Sequence, residues 1–497
     1  MLGWPGCRWQ SGRMRAVSGP HLARLLGTWK AGADLTPAYA RLAAAIRMLV
    51  LDGRLALATR LPGERELARA LGVSRTTVTA AYDAMRADGY AASRQGSGTW
   101  TTLPDSPAQP TGPVPFAPAP ETAGLIDLAH ASPEAPATAL REAYEWALAQ
   151  LPRFVHGHGY SLFGIPELRA AIAARYTSRG LPTSPDEVLV TSGAQHAFSL
   201  AVSLFADPGD RVLVEHPTYP NALDAIRRAA TRPVPVPLAP GGWDNDAVEA
   251  ALRQTAPRLA YINPDFQNPT GLLASDAERA ALGRAMSRSR TRTIVDETLV
   301  ELALHDGAAP TPLAAFVRDE LAITTGTASK TFWGGIRVGW LRADRTTVRH
   351  LAAVRATVDN SSALIEQLAV TYLLGRIEEV RAHRRSELTK RRDTLIAALR
   401  DRLPGWRVRV PDGGLVLWCD IGVPVSTPLA ALAERHGVRL AAGPRFGVDG
   451  AFERWLRLPY TLAPEVLVDA TDRIAAAFHS VAGGSGEERS ELIDTFA

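Results

Sequence analysis

Lysine chemistry in this chain rests on very few residues. Of its 55 lysine and arginine residues only three are lysines, namely Lys30, Lys330 and Lys390. A Schiff base with an aldehyde needs a lysine that is held in place and partly desolvated, because only the neutral amine reacts. Lys330 follows a predicted strand in TTGTASKTFWGGIRVGW (residues 324–340), whereas the other two lie in arginine-rich helical segments. We therefore predict that Lys330 is the reactive amine.

Polar groups suited to a phosphate lie close to Lys330 and at a second turn. The first set comprises Thr327, Ser329 and Arg337, whose guanidinium matches phosphate oxygens. The second set is the turn in VTSGAQHAFS, where a strand leads into a helix and exposes the backbone N–H groups of Gly193, Ala194 and Gln195. Both sets predict an anion site.

Three more residues follow predicted strands and could contact a planar cofactor. Tyr219, in PTYP, could stack on a ring, although a plain turn tyrosine is an equal alternative. Asn268, in NPDFQNPTG, lies in a rigid turn suited to one directed hydrogen bond. Asp296 ends the segment TIVD, an apolar setting in which only a cationic partner, such as a protonated pyridine nitrogen, keeps a carboxylate charged.

The elements that must position these residues form an α/β pattern. Short β-branched runs alternate with helical stretches, which predicts a mostly parallel sheet. These runs are EVLVT (187–191), RVLVE (211–215), LAYIN (259–263), TIVD (293–296) and LAITT (321–325). We predict six segments: an extension (1–34), a head (35–102), a Pro-rich linker (103–124), a large domain (125–389), a small α+β lobe (390–481) and a flexible tail (482–497).

Charge is concentrated at the front of the chain. Residues 1–100 carry 14 Lys and Arg against 6 Asp and Glu, whereas the whole chain carries 55 against 51. A basic module of this kind suits nucleic-acid binding. The absence of long apolar runs argues against a membrane protein, and the two distant cysteines encode neither a disulfide framework nor a metal site. We expect a cytoplasmic protein without a bound metal.

The head carries the pattern of a helix-turn-helix. A helix from Glu64 to Leu71 closes at Gly72, and Ser74 caps a second helix whose first turn presents Arg75, Thr76 and Thr77. The basic hairpin SRQGSG (93–98), which contains Arg94 and Gly96, follows as a wing. The helix predicted over residues 21–30 is given no role, and Met14 is an alternative start to Met1.

The segment LPGERELARALGVSRTTVTAAYDAMRADGY with SRQGSGTW resembles the winged helix-turn-helix of GntR-type bacterial regulators over residues 36–102. The resemblance implies that Arg65 and Arg75 contact double-stranded DNA, that Ser74, Thr76 and Thr77 support them, and that the hairpin with Arg94 and Gly96 enters the minor groove. The family usually has serine where this chain has Gly63, which removes one phosphate-bonding hydroxyl.

The motifs TSGAQ, PTY, NPTG, VDE, SKTFWGGIRVGW and RLPY occur in that order and resemble fold-type I pyridoxal-phosphate enzymes of the aminotransferase class. The resemblance implies that Lys330 forms the Schiff base with pyridoxal 5'-phosphate (PLP), Asp296 pairs with the pyridine nitrogen, Asn268 bonds the phenolic oxygen and Tyr219 stacks. The phosphate would be held by Thr327, Ser329, Arg337 and the Gly193–Gln195 turn.

The same resemblance implies two contacts beyond the cofactor and one departure. Tyr160 would reach the phosphate site of a partner subunit in a homodimer, and Arg457, in RLPY, would clamp the carboxylate of an amino acid. The family usually has tyrosine three residues after the aspartate, where this chain has Leu299.

The combination is similar to the MocR subfamily of transcriptional regulators. It implies a homodimer that binds a DNA operator and senses PLP, or a small amine or amino acid that exchanges with Lys330. A working PLP-dependent aminotransferase with an appended winged helix is the alternative. DNA binding without any cofactor is a third possibility.

Overall fold

The protein is described from a computed structural model that covers residues 16–27, 29, 37–57, 59–94, 98–102 and 124–494. The chain divides into two compact units, Met1–Pro113 and Val114–Ala497. Lys30, the wing residue Gly96 and nearly all of the predicted linker lie outside the described residues. Within the described residues no helix is long and apolar enough to cross a membrane.

The first unit is a small helical domain with a two-stranded antiparallel sheet. Its elements are α1 (Gly19–Leu26), α2 (Ala38–Leu51), α3 (Glu64–Leu71), α4 (Arg75–Ala87), β1 (Ala91–Arg94) and β2 (Gly98–Thr101). The predicted bounds of α3 are confirmed, and Gly72 ends it in the left-handed conformation that glycine tolerates (φ 61°). The Ser74 side chain caps α4 by accepting from the Thr77 N–H.

Helix α1 belongs to this unit although the sequence analysis gives it no role. Leu22 is fully buried, and Leu26 is nearly so, in the core that also holds Leu67 of α3. The backbone N–H of Gly19 donates to Glu66 Oε1 at 2.6 Å, which joins α1 to the first turn of α3. The residues ahead of the helix-turn-helix therefore complete its core.

The second unit is built on an eight-stranded sheet in the order β4-β11-β10-β9-β8-β5-β6-β7. Its strands are β4 (Val188–Thr191), β5 (Arg211–His216), β6 (Arg232–Ala239), β7 (Gly242–Trp243), β8 (Leu259–Ile262), β9 (Arg292–Asp296), β10 (Ala322–Thr327) and β11 (Gly339–Arg342). Its helices are α5 (Ala137–Gln150), α6 (Pro166–Ser178), α7 (Ala194–Phe205), α8 (Pro220–Arg228), α9 (Asn245–Thr255), α10 (Asp276–Ser289), α11 (Arg345–Arg355) and α12 (Leu364–Gly375).

The sheet is mostly parallel. β10, β9, β8, β5 and β6 pair in parallel, and β4 runs with them because both β4 and β10 are antiparallel to β11. The residues of β4 and β8 are all buried, which explains their apolar character on both faces. The carboxyl ends of β4, β5, β8, β9 and β10 therefore lie along one edge, where the predicted site residues follow.

The smaller lobe carries an antiparallel sheet in the order β12-β13-β16-β15 and a short parallel pair of β3 with β14. Its elements are β3 (Ile126–Asp127), α13 (Ile377–Arg402), β12 (Arg407–Val408), β13 (Val416–Asp420), α14 (Ser426–Arg435), β14 (Val438–Arg439), β15 (Ala441–Ala442), β16 (Trp455–Pro459) and α15 (Pro464–Asp494).

Two predicted boundaries do not coincide with the ends of elements. Residue 390 lies inside α13, whose early residues Ile377 and Val380 pack in the core of the large domain while Leu388 and Leu395 pack in that of the small lobe. The tail predicted from residue 482 also differs, because α15 continues to Asp494. Good helix formers such as glutamate follow Gly484 and favour this continuation.

Candidate functional site

A cavity of about 540 Å³ lies at the carboxyl edge of the large sheet. Its volume is within the range of small-molecule sites in proteins. Ten predicted residues line it: Ala194, Gln195, Tyr219, Asn268, Asp296, Thr327, Ser329, Lys330, Arg337 and Arg457. The loops that follow five different strands, together with β16, therefore bring the predicted residues into one site.

Lys330 lies three residues beyond the end of β10 and is partly buried in the cavity wall. Its Nζ donates to the backbone oxygen of Ala131 at 2.8 Å. Burial, reinforced by the positive charges of Arg457 and Arg337, lowers the pKa of Lys330 to about 8, against the opposing influence of Asp296. About a tenth of this amine is then neutral at pH 7, far more than at its ordinary pKa, and the neutral form is the one that nucleophilic chemistry requires.

The lowered pKa gives a test in solution. We expect the rate at which the apoprotein bonds PLP to rise about tenfold per pH unit and then level off above about pH 8, because the neutral fraction of Lys330 saturates there. A lysine at the ordinary pKa of 10.5 would keep the rate rising well beyond that point. Stopped-flow absorbance after mixing apoprotein with PLP measures this profile, and a rate still climbing at about pH 10 contradicts the assignment.

Asp296 ends β9 with both carboxylate oxygens held. Oδ2 accepts from the Tyr261 hydroxyl at 2.5 Å and Oδ1 accepts from the Thr298 N–H at 2.9 Å. Burial raises the pKa of Asp296, and these hydrogen bonds oppose the rise. None of the described ion pairs includes Asp296. A cation that enters the cavity would therefore meet a buried carboxylate that is held by two hydrogen bonds and has no cationic side chain paired with it.

The predicted anion site, made of the Gly193–Gln195 turn with Arg337, Thr327 and Ser329, lies where α7 begins. Gly193 is the N-cap residue of α7 with φ 104°, and a Cβ built on it would lie 2.8 Å from Arg337 Nη2. Only glycine therefore allows the guanidinium this close to the helix N-terminus. Arg337 is held there by donating to the backbone oxygen of Ser192 at 2.9 Å.

Two hydroxyl groups, those of Thr327 and Ser329, belong to the same predicted anion site. Thr327 Oγ1 accepts from the Ser329 N–H at 3.1 Å and donates to the Val338 carbonyl at 3.2 Å. Ser329 Oγ is buried and has no hydrogen-bond partner within the described part of the chain. A buried hydroxyl without a partner costs free energy, and a phosphate oxygen would satisfy it.

Arg457 and Asn268 also line the cavity. Arg457 is almost completely buried, donates to the Ala129 carbonyl and, at 3.4 Å, to Asn268 Oδ1, and lies over the ring of Phe446. Burial lowers the pKa of Arg457 to about 10, which leaves it positively charged near neutral pH. Asn268 Oδ1 thus accepts from Arg457, and the amide Nδ2 of Asn268 is the group of that side chain that can donate.

Three other predicted residues have different surroundings. Tyr219 accepts a hydrogen bond from Asn221 Nδ2 at 2.9 Å, and burial raises its pKa. Tyr160 is 64% exposed and does not line the cavity, so its predicted role in a partner subunit stays a prediction. Leu299 lines the cavity at the position where tyrosine is usual, and no hydroxyl is present there.

The second predicted site is the first turn of α4 in the front unit. Ser74 Oγ lies 2.7 Å from Thr76 Oγ1 and 2.8 Å from Thr77 Oγ1, which forms a hydroxyl cluster at the helix N-terminus. Arg75 is exposed beside it, and its Nε donates to Glu64 Oε2 at 3.0 Å. The buried Tyr82 fixes α4 against the start of α3 by donating to the Pro62 carbonyl at 2.9 Å.

The remaining predicted DNA contacts are only partly described. Arg65 is exposed in the first turn of α3. The backbone of Arg94 pairs with Gly98 in the hairpin of β1 and β2. The tip of the hairpin, residues 95–97, includes Gly96 and lies outside the described residues. Their contacts with DNA stay predictions.

The residues of the cavity fit a pyridoxal-phosphate group. The unpartnered Ser329 hydroxyl and the Arg337 guanidinium beside the start of α7 suit the phosphate, the hydrogen-bonded Asp296 suits a protonated ring nitrogen, and Lys330 suits the aldehyde. The sequence analysis missed Tyr261 and Thr298 as partners of Asp296. A tyrosine in an otherwise aliphatic strand was the available signal, since a buried tyrosine hydroxyl usually has a partner.

Comparison with known proteins agrees with this architecture. Residues 133–474, well over half of the chain, match the family model described as aminotransferase class I and II. Residues 38–100 match the model described as bacterial regulatory proteins, gntR family. The chain therefore belongs to the aminotransferase class I and II family and carries a GntR-type helix-turn-helix ahead of that domain, the combination found in MocR-type regulators.

Two of the similar proteins are described as regulators. The chain is 28% identical over 84% of its length to the uncharacterized HTH-type transcriptional regulator YdcR of Escherichia coli, covering 94% of that protein. It is 31% identical over 61% of its length to the probable rhizopine catabolism regulatory protein MocR of Rhizobium meliloti, covering 65% of it.

Among solved structures, LysN from Thermus thermophilus, an alpha-aminoadipate aminotransferase complexed with N-(5'-phosphopyridoxyl)-L-leucine, is similar to the second unit. It is 27% identical with a TM-score of 0.67, and the alignment covers 73% of this chain and 94% of LysN.

Proposed function

We propose that this chain is a DNA-binding transcriptional regulator whose aminotransferase-like unit binds PLP and responds to PLP or to a small amino compound. The observation that carries the proposal is one chain with both a capped recognition helix beginning at Arg75 and a lysine site at Lys330. We further propose a cytoplasmic homodimer, in which Tyr160 contributes to the partner's phosphate site.

Each predicted site residue has a defined part in this function. PLP supplies an aldehyde carbon to which an amine can bond and a ring that withdraws electrons. Lys330 would hold that carbon, Asp296 would keep a proton on the ring nitrogen, and the Gly193–Gln195 turn with Arg337, Thr327 and Ser329 would bind the phosphate. Asn268 would donate to the phenolic oxygen, Tyr219 would stack on the ring, and Arg457 would bind the carboxylate of an amino-acid effector.

Regulation would then result from competition between Lys330 and an effector amine for the aldehyde carbon of PLP. Lys330 would hold the cofactor's aldehyde carbon in the absence of an effector, and an amine that competes for the same carbon would release the Lys330 side chain. An effector shifts the protein between two arrangements only by the difference in its affinity for them. Two tethered heads in a dimer would bind a pair of half-sites with an avidity that one head lacks.

The decisive experiment is a DNA-binding assay on the region upstream of the protein's own gene. The purified full chain is titrated onto that DNA with and without PLP and with a panel of amines, and its absorbance is recorded in parallel. We expect binding that depends on PLP or on an amine. Sustained turnover of amino acids with 2-oxo acids and no DNA binding would reject the proposal and favour an aminotransferase.

A further inference from the structure

A fully buried glutamine joins the two turns that carry Tyr219 and Asn268. Gln267 directly precedes Asn268, and its Nε2 donates at 2.8 Å to the carbonyl of Pro217, two residues before Tyr219. Its Oε1 accepts from both the backbone N–H and the hydroxyl of Thr270, at 3.0 and 2.7 Å. One side chain therefore closes the turn around Asn268 and ties it to the turn that follows β5.

The orientation of this amide is set by Glu215, the last residue but one of β5. Glu215 is 2% exposed, and its Oε2 accepts from Gln267 Nε2 at 3.0 Å. Its Oε1 accepts from Trp243 Nε1 at 2.7 Å and from the Asn263 N–H at 3.1 Å. Burial raises the pKa of Glu215, and these three N–H donors oppose the rise because they favour the charged carboxylate.

The carboxyl of Glu215 thus acts as an acceptor toward each of these donors. A glutamine amide has donors on its nitrogen and an acceptor on its oxygen, so the nitrogen of Gln267 must face Glu215. The amide oxygen is then left for Thr270, as observed. Glu215 and Gln267 consequently form a buried pair with one preferred arrangement.

This pair can act on the cofactor site only through its neighbours. Neither Gln267 nor Glu215 is among the described residues that line the cavity, whereas Tyr219 and Asn268 are. Leu299 supplies no hydroxyl, so Asn268 is the predicted donor to the phenolic oxygen of PLP. A hydrogen bond weakens steeply when its angle departs from linearity, so that donation depends on how the turn is held.

We propose that Gln267, oriented by Glu215, is a positioning residue for PLP. It holds Asn268 toward the phenolic oxygen of the cofactor and Tyr219 toward its ring. The proposal rests on the proposed function, because that function gives the two turns their roles toward PLP.

The test is a pH titration of the visible absorbance of the PLP-loaded full chain. This absorbance changes when the nitrogen that bonds PLP to Lys330 loses its proton. A donor to the phenolic oxygen eases that loss, because the oxygen then depends less on the same proton. Gln267→Met keeps the length of the side chain and removes its hydrogen bonds. We expect it to raise the midpoint by about one pH unit, in the same direction as Asn268→Ala.

Gln367→Met is the matched control for a merely structural effect. Gln367 is a fully buried glutamine of α12 that does not line the cavity. Its Oε1 accepts from the Ile165 N–H and its Nε2 donates to the Ser362 carbonyl, both at 2.8 Å. It should lose stability in thermal unfolding as Gln267→Met does, yet keep the wild-type midpoint. An unchanged midpoint in Gln267→Met, or an equal shift in Gln367→Met, overturns the proposal.

Exchanging the two side chains tests the pair even where Gln267→Met does not fold. Glu215→Gln sets two amide nitrogens against each other, and Gln267→Glu sets two carboxyl groups against each other. The double variant restores a donor opposite an acceptor and keeps an oxygen toward Thr270. Its midpoint should lie closer to that of the wild type than the midpoint of either single variant. A double variant no closer than the single ones contradicts the role of Glu215.

The outcomes also separate this proposal from the proposed function. A chain that bonds PLP and binds its DNA, but whose midpoint ignores Gln267, refutes the positioning role alone. A chain that shows the shift but does not bind DNA refutes the regulator and leaves the positioning role in place. A wild-type chain that does not bond PLP refutes both.

Discussion

Replacing Lys330 by alanine should abolish covalent attachment of PLP and leave the fold intact. The expected loss is complete, because Lys330 is the one lysine among the described residues that line the cavity. The side chain makes one hydrogen bond, to the carbonyl of Ala131, so its removal should cost little stability. Borohydride reduction followed by mass spectrometry of the intact protein measures the attachment, and thermal unfolding checks the fold.

Lys390→Ala is the matched control for this prediction. Lys390 is exposed on α13 and does not line the cavity, so this variant should retain PLP after reduction as the wild type does. A Lys330→Ala protein that still carries reduced PLP would show that another amine is used and would remove the basis of the sensing proposal.

Several site residues could be placed from sequence because they end or follow a recognisable strand. Asp296 at the end of TIVD and the Gly193 turn after EVLVT belong to strands whose apolar runs are visible. Parallel strands place their carboxyl ends at one edge, and ligands in such sheets bind there. Residues far apart in the chain therefore meet without any local signal that joins them.

Contacts made across strands could not be predicted in the same way. Tyr261 lies within β8, paired with Ile294 of β9, and looks like one more core residue. Its hydroxyl reaches Asp296 only because β8 and β9 are neighbours in this register. The carbonyls of Ala131 and Ala129, which accept from Lys330 and Arg457, could not be predicted either. Any residue type supplies a carbonyl, and only the path of the chain decides which carbonyls face these side chains.

The lobe boundary and the packing of α1 against the head could not be predicted, for a different reason. Helix α13 is one unbroken element from Ile377 to Arg402, so the passage from one core to the other is not marked by the end of a helix. Helix α1 is short, and its sequence does not show what its apolar face contacts. Packing of Leu22 and Leu26 against α3, together with the hydrogen bond to Glu66, attaches it to the head.

The absence of a hydroxyl at Leu299 bears on the choice between regulator and enzyme. In the resemblance on which the site was predicted, tyrosine at this position bonds the phenolic oxygen, and here Asn268 is left as the predicted donor. Leu299 instead packs in the core of the small lobe together with Phe266. We therefore expect the missing hydroxyl to affect turnover more than the binding of PLP.

Replacing Arg75 by alanine should weaken binding to the upstream DNA by about 10- to 100-fold without changing the absorbance of bound PLP. Arg75 is exposed in the first turn of α4, where a recognition helix meets base edges. Its ion pair with Glu64 is solvent-exposed and worth about 1 kcal/mol at most, so DNA can compete for the guanidinium. Fluorescence anisotropy with labelled DNA measures the affinity.

Glu64, the ion-pair partner of Arg75, allows a second test of the same prediction. Without Arg75 its carboxylate would face the DNA phosphates uncompensated, so the double variant Arg75→Ala with Glu64→Gln should recover part of the lost affinity. Arg69→Ala, which removes an exposed arginine from the last turn of α3, is the matched control and should have a much smaller effect. Unchanged affinity in Arg75→Ala would place the DNA-reading surface elsewhere on the head, since a recognition helix without its leading arginine contact could not bind as tightly as before.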